Sequence, residues 1–347
     1  MPHALERSLL WGRHLQGVVP PGSGKWLAAS RDLAVDEVRF RHDHQVWPTS
    51  EVGGPMIERV LVAVDLSDAS LAALAAARAL ADERGATLAI VHVPASFSAA
   101  PPLIPQSRAI NMTRALELER IGHEALERRI SEVEGFSNVD RFFEIGPPHE
   151  GIVHRAKVWN ADLVVVGSRG RSGVLRALLG SVAEQVVRAA HCDVLVSRPA
   201  RGTGLVVAAT DLSEAWLPTV ARAAEEARLR SAPLVVIHVA DSPGAAGSAP
   251  SVGTTSAGSP AAHPPTGDLL VTLLADATRP LGTTGEAFVV EGDTVSSVLG
   301  AVDERGADLL VIGAQGPMSS SEGSLGRVAD KLVRLANCSV LVVRTKV

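Results

Sequence analysis

The sequence is poor in aromatic and cysteine residues, on which several classes of protein depend. It contains no tyrosine, and aromatic residues make up only 3% of the chain. Surfaces that stack nucleic-acid bases are built from aromatic rings, so we do not expect this class of surface. The two cysteines, Cys192 and Cys338, are too few for a disulfide framework and suit a reducing compartment.

Long apolar runs and an excess of positive charge are also missing. The longest apolar run, residues 71–81, is interrupted by Arg78 and is too short to cross a bilayer. The formal net charge is −5, which favours neither a nucleic acid nor an anionic membrane as a partner. The 46% hydrophobic and 20% charged residues are typical of a globular protein. We therefore expect a cytoplasmic protein that binds neither nucleic acid nor a membrane.

The chain repeats itself at a constant spacing. Four motifs recur, each 146 residues further along, at 60–67 and 206–213, 91–93 and 237–239, 162–167 and 308–313, and 192–196 and 338–342. One spacing held across four motifs indicates a duplication, and 347 residues suffice for two domains. We predict domain 1 at 57–200, domain 2 at 201–347 and an N-terminal extension at 1–56. The extension has no copy and no sustained periodicity, so we predict that it is disordered.

Each copy alternates strands with helices. In the first copy we predict strands at 59–64, 87–93, 139–145, 163–166 and 194–197, and helices at 67–84, 114–134, 149–158 and 181–190. The first strand, 59–64, is a Val-rich run, which is typical of a strand buried on both faces of a parallel sheet. Strands and helices at this spacing imply right-handed crossovers and a doubly wound α/β fold. Residues 242–267 are rich in Pro, Gly, Ala and Ser, and predict a loop in the second copy.

A glycine-rich segment follows the fourth predicted strand. Gly167 and Gly170 allow backbone N–H groups to approach a ligand without a Cβ in the way. Gly180 and Ser181 begin the next helix, whose N-terminus offers unpaired N–H donors and a partial positive charge. At the carboxyl end of a parallel sheet, this arrangement predicts a phosphate site. Two alternatives remain: the glycines only turn the chain, or Ser181 only caps the helix.

The chain resembles the universal stress protein family in three features. These are Asp65-x-Ser67 after the first strand, the pattern Gly-x2-Gly-x9-Gly-Ser at 167–181, and the closing Cys-x-Val-Leu-Val strand. The resemblance covers 57–347 as two copies. It implies two Rossmann-like domains, each a five-stranded parallel sheet in the order 3-2-1-4-5 with helices on both faces. It also implies that the last strands, at 194–197 and 340–343, pair within the chain as a pseudo-dimer. A homodimer of such chains is a further state that it allows.

ATP-binding members of this family imply the ligand and its contacts. Asp65 would lie near the ribose and phosphates, and the backbone of Val93 near the adenine. The phosphates would be surrounded by Gly167, Gly170, Gly180 and Ser181. An acidic Asp65 beside a polyphosphate favours a bridging Mg²⁺, although a helix cap is the alternative role for this side chain. No metal site made of protein ligands alone is predicted.

The second copy departs from the pattern. Arg327 stands where the first copy has Ser181, and Glu322 adds a negative charge to the loop. We therefore expect domain 1 to hold the competent nucleotide site and domain 2 to be degenerate. Buried structural roles are predicted for His92 and His238, and for the two cysteines.

The function that the resemblance implies is that of a nucleotide-binding regulatory factor in a stress response. No nucleophile or general base stands in a supporting motif, so no catalytic residue is identified and at most a weak ATPase is expected. Two alternatives remain: a slow ATPase or adenylyl-transfer enzyme of the same α/β class, and a ligand-free interaction scaffold.

Overall fold

A computed structural model of the chain describes residues 27–28, 56–94, 108–131, 136, 138–168, 179–212, 216–240, 285–315 and 325–344. The strands of the first half are β1 (Leu27–Ala28), β2 (Arg59–Ala63), β3 (Thr87–His92), β4 (Asp140–Phe143), β5 (Leu163–Gly167) and β6 (Asp193–Ser197). The helices of the first half are α1 (Asp68–Arg84), α2 (Arg108–Ser131), α3 (Pro148–Val158) and α4 (Ser181–Ala189).

Within the described ranges, domain 2 has five strands like domain 1, with a helix after its first, third and fourth strands. Its strands are β7 (Val206–Thr210), β8 (Leu234–Ala240), β9 (Gly285–Glu291), β10 (Leu309–Gly313) and β11 (Ser339–Val343). Its helices within the described ranges are α5 (Trp216–Leu229), α6 (Thr294–Glu304) and α7 (Arg327–Leu335). The loop predicted at 242–267 lies outside the described residues.

The eleven strands within the described ranges form one sheet, in the order β1-β9-β8-β7-β10-β11-β6-β5-β2-β3-β4. The five strands of each domain are parallel and follow the predicted order 3-2-1-4-5. The predicted pairing of the last strands is confirmed: β6 and β11 run antiparallel, with Leu195 opposite Leu341. The two-residue strand β1 pairs antiparallel with β9.

Helix α1 shows how local chemistry sets the bounds of an element. It is rich in Ala and Leu, which favour a helix, and the Ser67 side chain caps its start by accepting a hydrogen bond from the Ser70 N–H. Gly85 ends it in the left-handed conformation at φ +64°, where a side chain would be strained. The predicted stop at Gly85 is thus confirmed.

Helices cover both faces of the sheet and make two apolar cores. Along β2, Val60 and Val62 pack on the face that carries α1 and α5, whereas Leu61 packs on the face of α3, α4, α6 and α7. Each core contains residues of both domains, so the sheet is continuous in its packing as well as in its hydrogen bonds. None of the helices in the described ranges is both long and apolar enough to span a membrane.

Candidate functional site

The predicted site lies at the carboxyl edge of the domain 1 sheet, where β2 runs between β3 and β5. The register pairs Ala63 with Val91 on one side of β2. On the other side it pairs Val62 with Val165. Continued to the edge, this register places Asp65 between the chain at Val93 and the chain at Ser168. A crevice outside the central strands of a doubly wound sheet is where such folds bind ligands.

A tight turn holds Asp65 at this edge. Leu66 has φ +67°, the left-handed region that non-glycine residues seldom adopt. The turn lets one carboxylate oxygen of Asp65 accept hydrogen bonds from the N–H of Ser67 at 3.0 Å and from its hydroxyl at 2.5 Å. Because Ser67 occupies the N-cap position of α1, the alternative that Asp65 itself caps this helix is wrong. Asp65 orients the capping residue and is held beside the helix start.

Gly180 and Ser181 lie at the start of α4. Gly180 is the N-cap, with φ −66° and ψ 144°, and no side chain caps the helix. Its N–H donates to the carbonyl of Ser168 at 2.9 Å, while the Ser168 N–H donates to the carbonyl of Ser197 at 3.1 Å. The helix start is therefore tied to the ends of β5 and β6.

Ser181 is the first helical residue and is exposed, so the alternative that it caps the helix is wrong. The conformation of Gly180 is one that any residue adopts, so the backbone does not require glycine at this position. The first N–H groups of a helix have no acceptor within it and carry partial positive charge.

Val93 follows β3 at the same edge. Its side chain is buried against α3: a Cβ added to Gly151 would lie 3.1 Å from the Cγ2 atom of Val93. Any contact that Val93 makes with a ligand at the edge would therefore use main-chain atoms. The preceding His92 is buried, and its Nδ1 atom lies 2.6 Å from the carbonyl oxygen of Val64. His238 makes the equivalent contact with Thr210 at 3.0 Å, so the structural role predicted for both histidines is confirmed.

Five of the six predicted site residues are described, and all five lie at the carboxyl edge of the domain 1 sheet. They are Asp65, Val93, Gly167, Gly180 and Ser181. Gly170 lies outside the described residues.

The structure adds two serines that the sequence analysis did not single out. Ser70 is buried; its hydroxyl donates to the carbonyl of Ser67 at 2.9 Å and accepts from the N–H of Asp65 at 3.3 Å. Ser168 is buried beside Gly180. A signal for both was present in the repeat, because the copies differ at these positions: domain 2 has Trp216 and Ala314 instead.

Domain 2 keeps the backbone frame of the site and Asp211 as the counterpart of Asp65, but three serines of the site are replaced. Gly326 caps α7 with φ −65°, and its N–H donates to the carbonyl of Ala314 at 2.8 Å, as in the first copy. Arg327 replaces the serine at the first helical position and is exposed. Together with Trp216 and Ala314, this gives three replacements of serine in one site. The loop that contains Glu322 lies outside the described residues.

The cysteines and acidic residues add no further reactive centre. Both cysteines are buried, as predicted, and burial raises the pKa of the Cys338 thiol from its ordinary 9.0 to about 11. Among the described residues, no group of three or more His, Cys, Asp or Glu side chains is arranged to hold a metal ion.

Comparisons with known proteins agree with this geometry. The model of the universal stress protein family matches the chain twice, at residues 56–198 and 204–344. Universal stress protein YxiE of Bacillus subtilis is 35% identical over 150 residues, which are 41% of this chain and all of that protein. Universal stress protein A homolog 2 of Coxiella burnetii is 31% identical over 145 residues, 41% of this chain and 94% of that protein.

A solved structure extends the likeness to both domains. The crystal structure of a universal stress protein from Archaeoglobus fulgidus covers 83% of this chain and 98% of its own, with a TM-score of 0.58 and 20% identity. At that identity the likeness shows the fold alone. The two family matches coincide with the two domains of the sheet and together span most of the sequence. The chain therefore belongs to the universal stress protein family, as a member with two domains of that family in tandem.

Proposed function

We propose that domain 1 binds ATP and that the protein acts as a nucleotide-dependent regulatory factor in a stress response. One observation carries the proposal: an uncapped helix N-terminus, glycine at its cap and an exposed Ser181, stands beside Asp65 at the ligand-binding edge of the sheet. Helix N-termini of this kind favour phosphate, because their N–H groups are unpaired and carry partial positive charge.

Mg²⁺ fits the donor set of this site. The Asp65 carboxylate would repel a polyphosphate directly, whereas a divalent cation between them would be attracted by both. Mg²⁺ commonly binds through one or two carboxylates together with substrate phosphates, and keeps several waters. Asp65 would hold the ion, and the ion would neutralise phosphate charge. Gly180, Ser181 and the N–H groups of α4 would bind the phosphates.

The adenine would lie toward β3. The main chain of Val93 reaches the carboxyl edge on the side of Asp65 opposite to Ser168, as the strand register requires. The nucleotide would thus extend from Val93 across Asp65 to the start of α4. This path uses the ends of three adjacent strands of domain 1.

We propose binding rather than turnover as the activity. His92, the histidine nearest to the site in sequence, is buried and engaged with a backbone carbonyl, so it is poorly placed to activate water or a substrate. The output would be a change in conformation or in partner when nucleotide binds.

Nucleotide content and stoichiometry test the proposal. Native mass spectrometry of freshly purified protein should show bound nucleotide, and calorimetric titration with ATP and Mg²⁺ should give about one site per chain. Asp65→Ala should weaken Mg²⁺-dependent binding, while the matched variant Asp211→Ala in domain 2 should bind as the unaltered chain does. Two tight sites would refute the asymmetry. Absence of binding would favour the scaffold alternative, and steady release of ADP the enzyme alternative.

A further inference from the structure

The two domains meet through one set of contacts that is symmetric between them. Arg198 and Arg344 are 146 residues apart, and each reaches the C-terminal turn of the other domain's last helix. Arg198 donates through Nη2 to the carbonyl of Val333 at 2.6 Å, and Arg344 donates through Nη2 to the carbonyl of Val187 at 2.6 Å. The antiparallel pairing of β6 with β11 has the same symmetry.

Four charged side chains on α4 and α7 extend the symmetric set. Arg188 contacts Asp330 at 2.7 Å, and Arg334 contacts Glu184 at 2.5 Å. Within each helix the pairs Arg188–Glu184 and Arg334–Asp330 lie at 3.3 and 3.2 Å. Because the members occupy equivalent positions in the two copies, this ring would form in any pairing of the domains, including two copies of the same domain.

A second set of contacts is asymmetric and buried. Arg84 at the end of α1 forms an ion pair with Glu226 of α5, and the two side chains are only 3% and 2% exposed. The position equivalent to Glu226 in domain 1 is Leu80, which has no charge. Arg230, the counterpart of Arg84, also contacts Glu226, at 3.0 Å, from the residue that follows the same helix.

In the other asymmetric pair, domain 2 supplies the arginine and domain 1 the carboxylate. Arg222 of α5 contacts Asp193 of β6 at 3.3 Å, with side chains 3% and 7% exposed. Their equivalents are Ala76 in domain 1 and Ser339 in domain 2. Asp193 also accepts a hydrogen bond at 2.8 Å from the N–H of Arg344, across the same junction.

Pairing two like domains would break these contacts. In a pair of first domains, Arg84 would face leucine and Asp193 would face alanine, each twice. In a pair of second domains, Glu226 would keep an arginine partner. Arg222 would face serine, again twice, and would keep only Glu225 of its own helix, at 2.5 Å. A buried charge that loses its partner is strongly destabilising, whereas the symmetric contacts survive in every combination. The asymmetric pairs therefore distinguish correct from incorrect partners.

We propose that this junction is heterospecific: the pairs Arg84–Glu226 and Asp193–Arg222 select domain 1 with domain 2 and disfavour either domain with its own kind. The partner that fits the β6 edge of domain 1 is the second domain of the same chain. As a result, β6 does not pair with β6 of a second chain, nor β11 with β11 of a second chain, to form a homodimer. The inference is independent of nucleotide binding.

Reassembly of the nicked chain tests selection. A protease site inserted between Pro199 and Ala200, both exposed, allows the folded full-length chain to be cut between its domains. After unfolding in urea and refolding, native mass spectrometry separates the three possible pairs by mass. Selective pairing should make the mixed pair at least roughly tenfold more abundant than both like pairs together, whereas unselective pairing makes about half of all pairs like pairs. Like pairs near that share would overturn the proposal.

Two variants of the nicked chain separate the asymmetric set from the symmetric one. Arg84→Met, Asp193→Ser, Arg222→Ala and Glu226→Leu combined should shift the products toward unselective pairing, because every position then lacks a buried charge. Asp330→Asn, which weakens the symmetric ring, should leave the selectivity unchanged. The reverse outcome would assign selectivity to the ring and contradict the proposal.

The intact chain provides a measurement that does not need refolding of halves. Glu226→Leu should lower the melting temperature by roughly 5 to 15 °C, since it leaves the buried Arg84 without its partner across the junction. Arg84→Met should lower it by less, since Glu226 keeps Arg230 at 3.0 Å. The double variant should melt within a few degrees of the unaltered chain, because an apolar pair replaces an ion pair at little net cost. Additive losses in the double variant would show that the two side chains do not act as a pair.

Discussion

Replacing Gly180 by asparagine should change stability and nucleotide binding in opposite directions. Gly180 already has an N-cap conformation open to every residue, and no side chain caps α4. Asparagine is among the best N-cap residues, because its side-chain oxygen accepts from the N–H of the second or third helical residue. Relative to glycine, we expect a gain of a few tenths of a kcal/mol in the free energy of unfolding.

The same side chain would compete with phosphate. It would occupy the approach to the start of α4 and take up an N–H group there. If ATP loses two hydrogen bonds from this turn, each worth about 1.5 kcal/mol to a charged acceptor, binding weakens by about 3 kcal/mol. That loss corresponds to roughly a hundredfold in Kd.

Domain 2 offers a matched control. Gly326 has nearly the same conformation, with φ −65° and ψ 152°, and caps α7 without a side chain. Gly326→Asn should therefore stabilise its helix equally and leave ATP binding unchanged. Urea unfolding without ligand and calorimetric titration with ATP and Mg²⁺ measure the two quantities. Unchanged affinity in Gly180→Asn, or an equal loss in Gly326→Asn, would refute the reasoning.

Three further predictions follow from the described residues. A chain that begins at Met56 should fold, melt within a few degrees of full length and bind ATP equally; a large loss on calorimetry would make residues 1–55 structural. Ser67→Ala should cost about 1 kcal/mol in urea unfolding, because it removes the cap of α1; an unchanged midpoint would contradict that role. In folded protein at pH 8, Cys192 and Cys338 should resist iodoacetamide, since both are buried and the Cys338 pKa is about 11, and guanidinium should yield two adducts; rapid native labelling would disagree.

The backbone positions of the site residues were predictable because they depend on local sequence patterns. Helix α4 begins at Ser181 as expected, since a glycine followed by a serine marks a helix start. Asp65 follows the apolar strand β2, also as expected. The role of Ser67 as the cap was not predicted. Ser67 and not Asp65 caps the helix because the chain turns at Leu66 in the left-handed conformation, which leucine seldom adopts.

Helix bounds were less accurate where side chains carry a mixed pattern. Helix α2 is described from Arg108, six residues before the predicted start at 114, to Ser131, and residues 132–134 of the prediction lie outside the described residues. The early residues include Asn111 and Thr113, which are weak helix formers, so the sequence places the start too late.

The buried charges of the domain junction were not predictable from either copy alone. The stretch 222–230 contains three arginines and two glutamates, a composition typical of a solvated helix face. Glu226 is buried because Arg84, 142 residues away, packs against it across the junction. The burial of Glu226 thus depends on how the two domains pair, which the periodicity of a helix does not reveal.

The antiparallel contact of β6 with β11 has a consequence for how the two copies can diverge. The strands within each domain are parallel, and β6 runs antiparallel to β11. The carboxyl ends of the strands of the two domains therefore lie at opposite edges of the sheet. Residues at one carboxyl edge therefore do not contact residues at the other. Three serines of the first edge, Ser70, Ser168 and Ser181, are replaced in domain 2, whereas its junction carries the buried charges Arg222 and Glu226. The edge of a duplicated domain can thus change its residues while the domain remains the matching partner of the other copy.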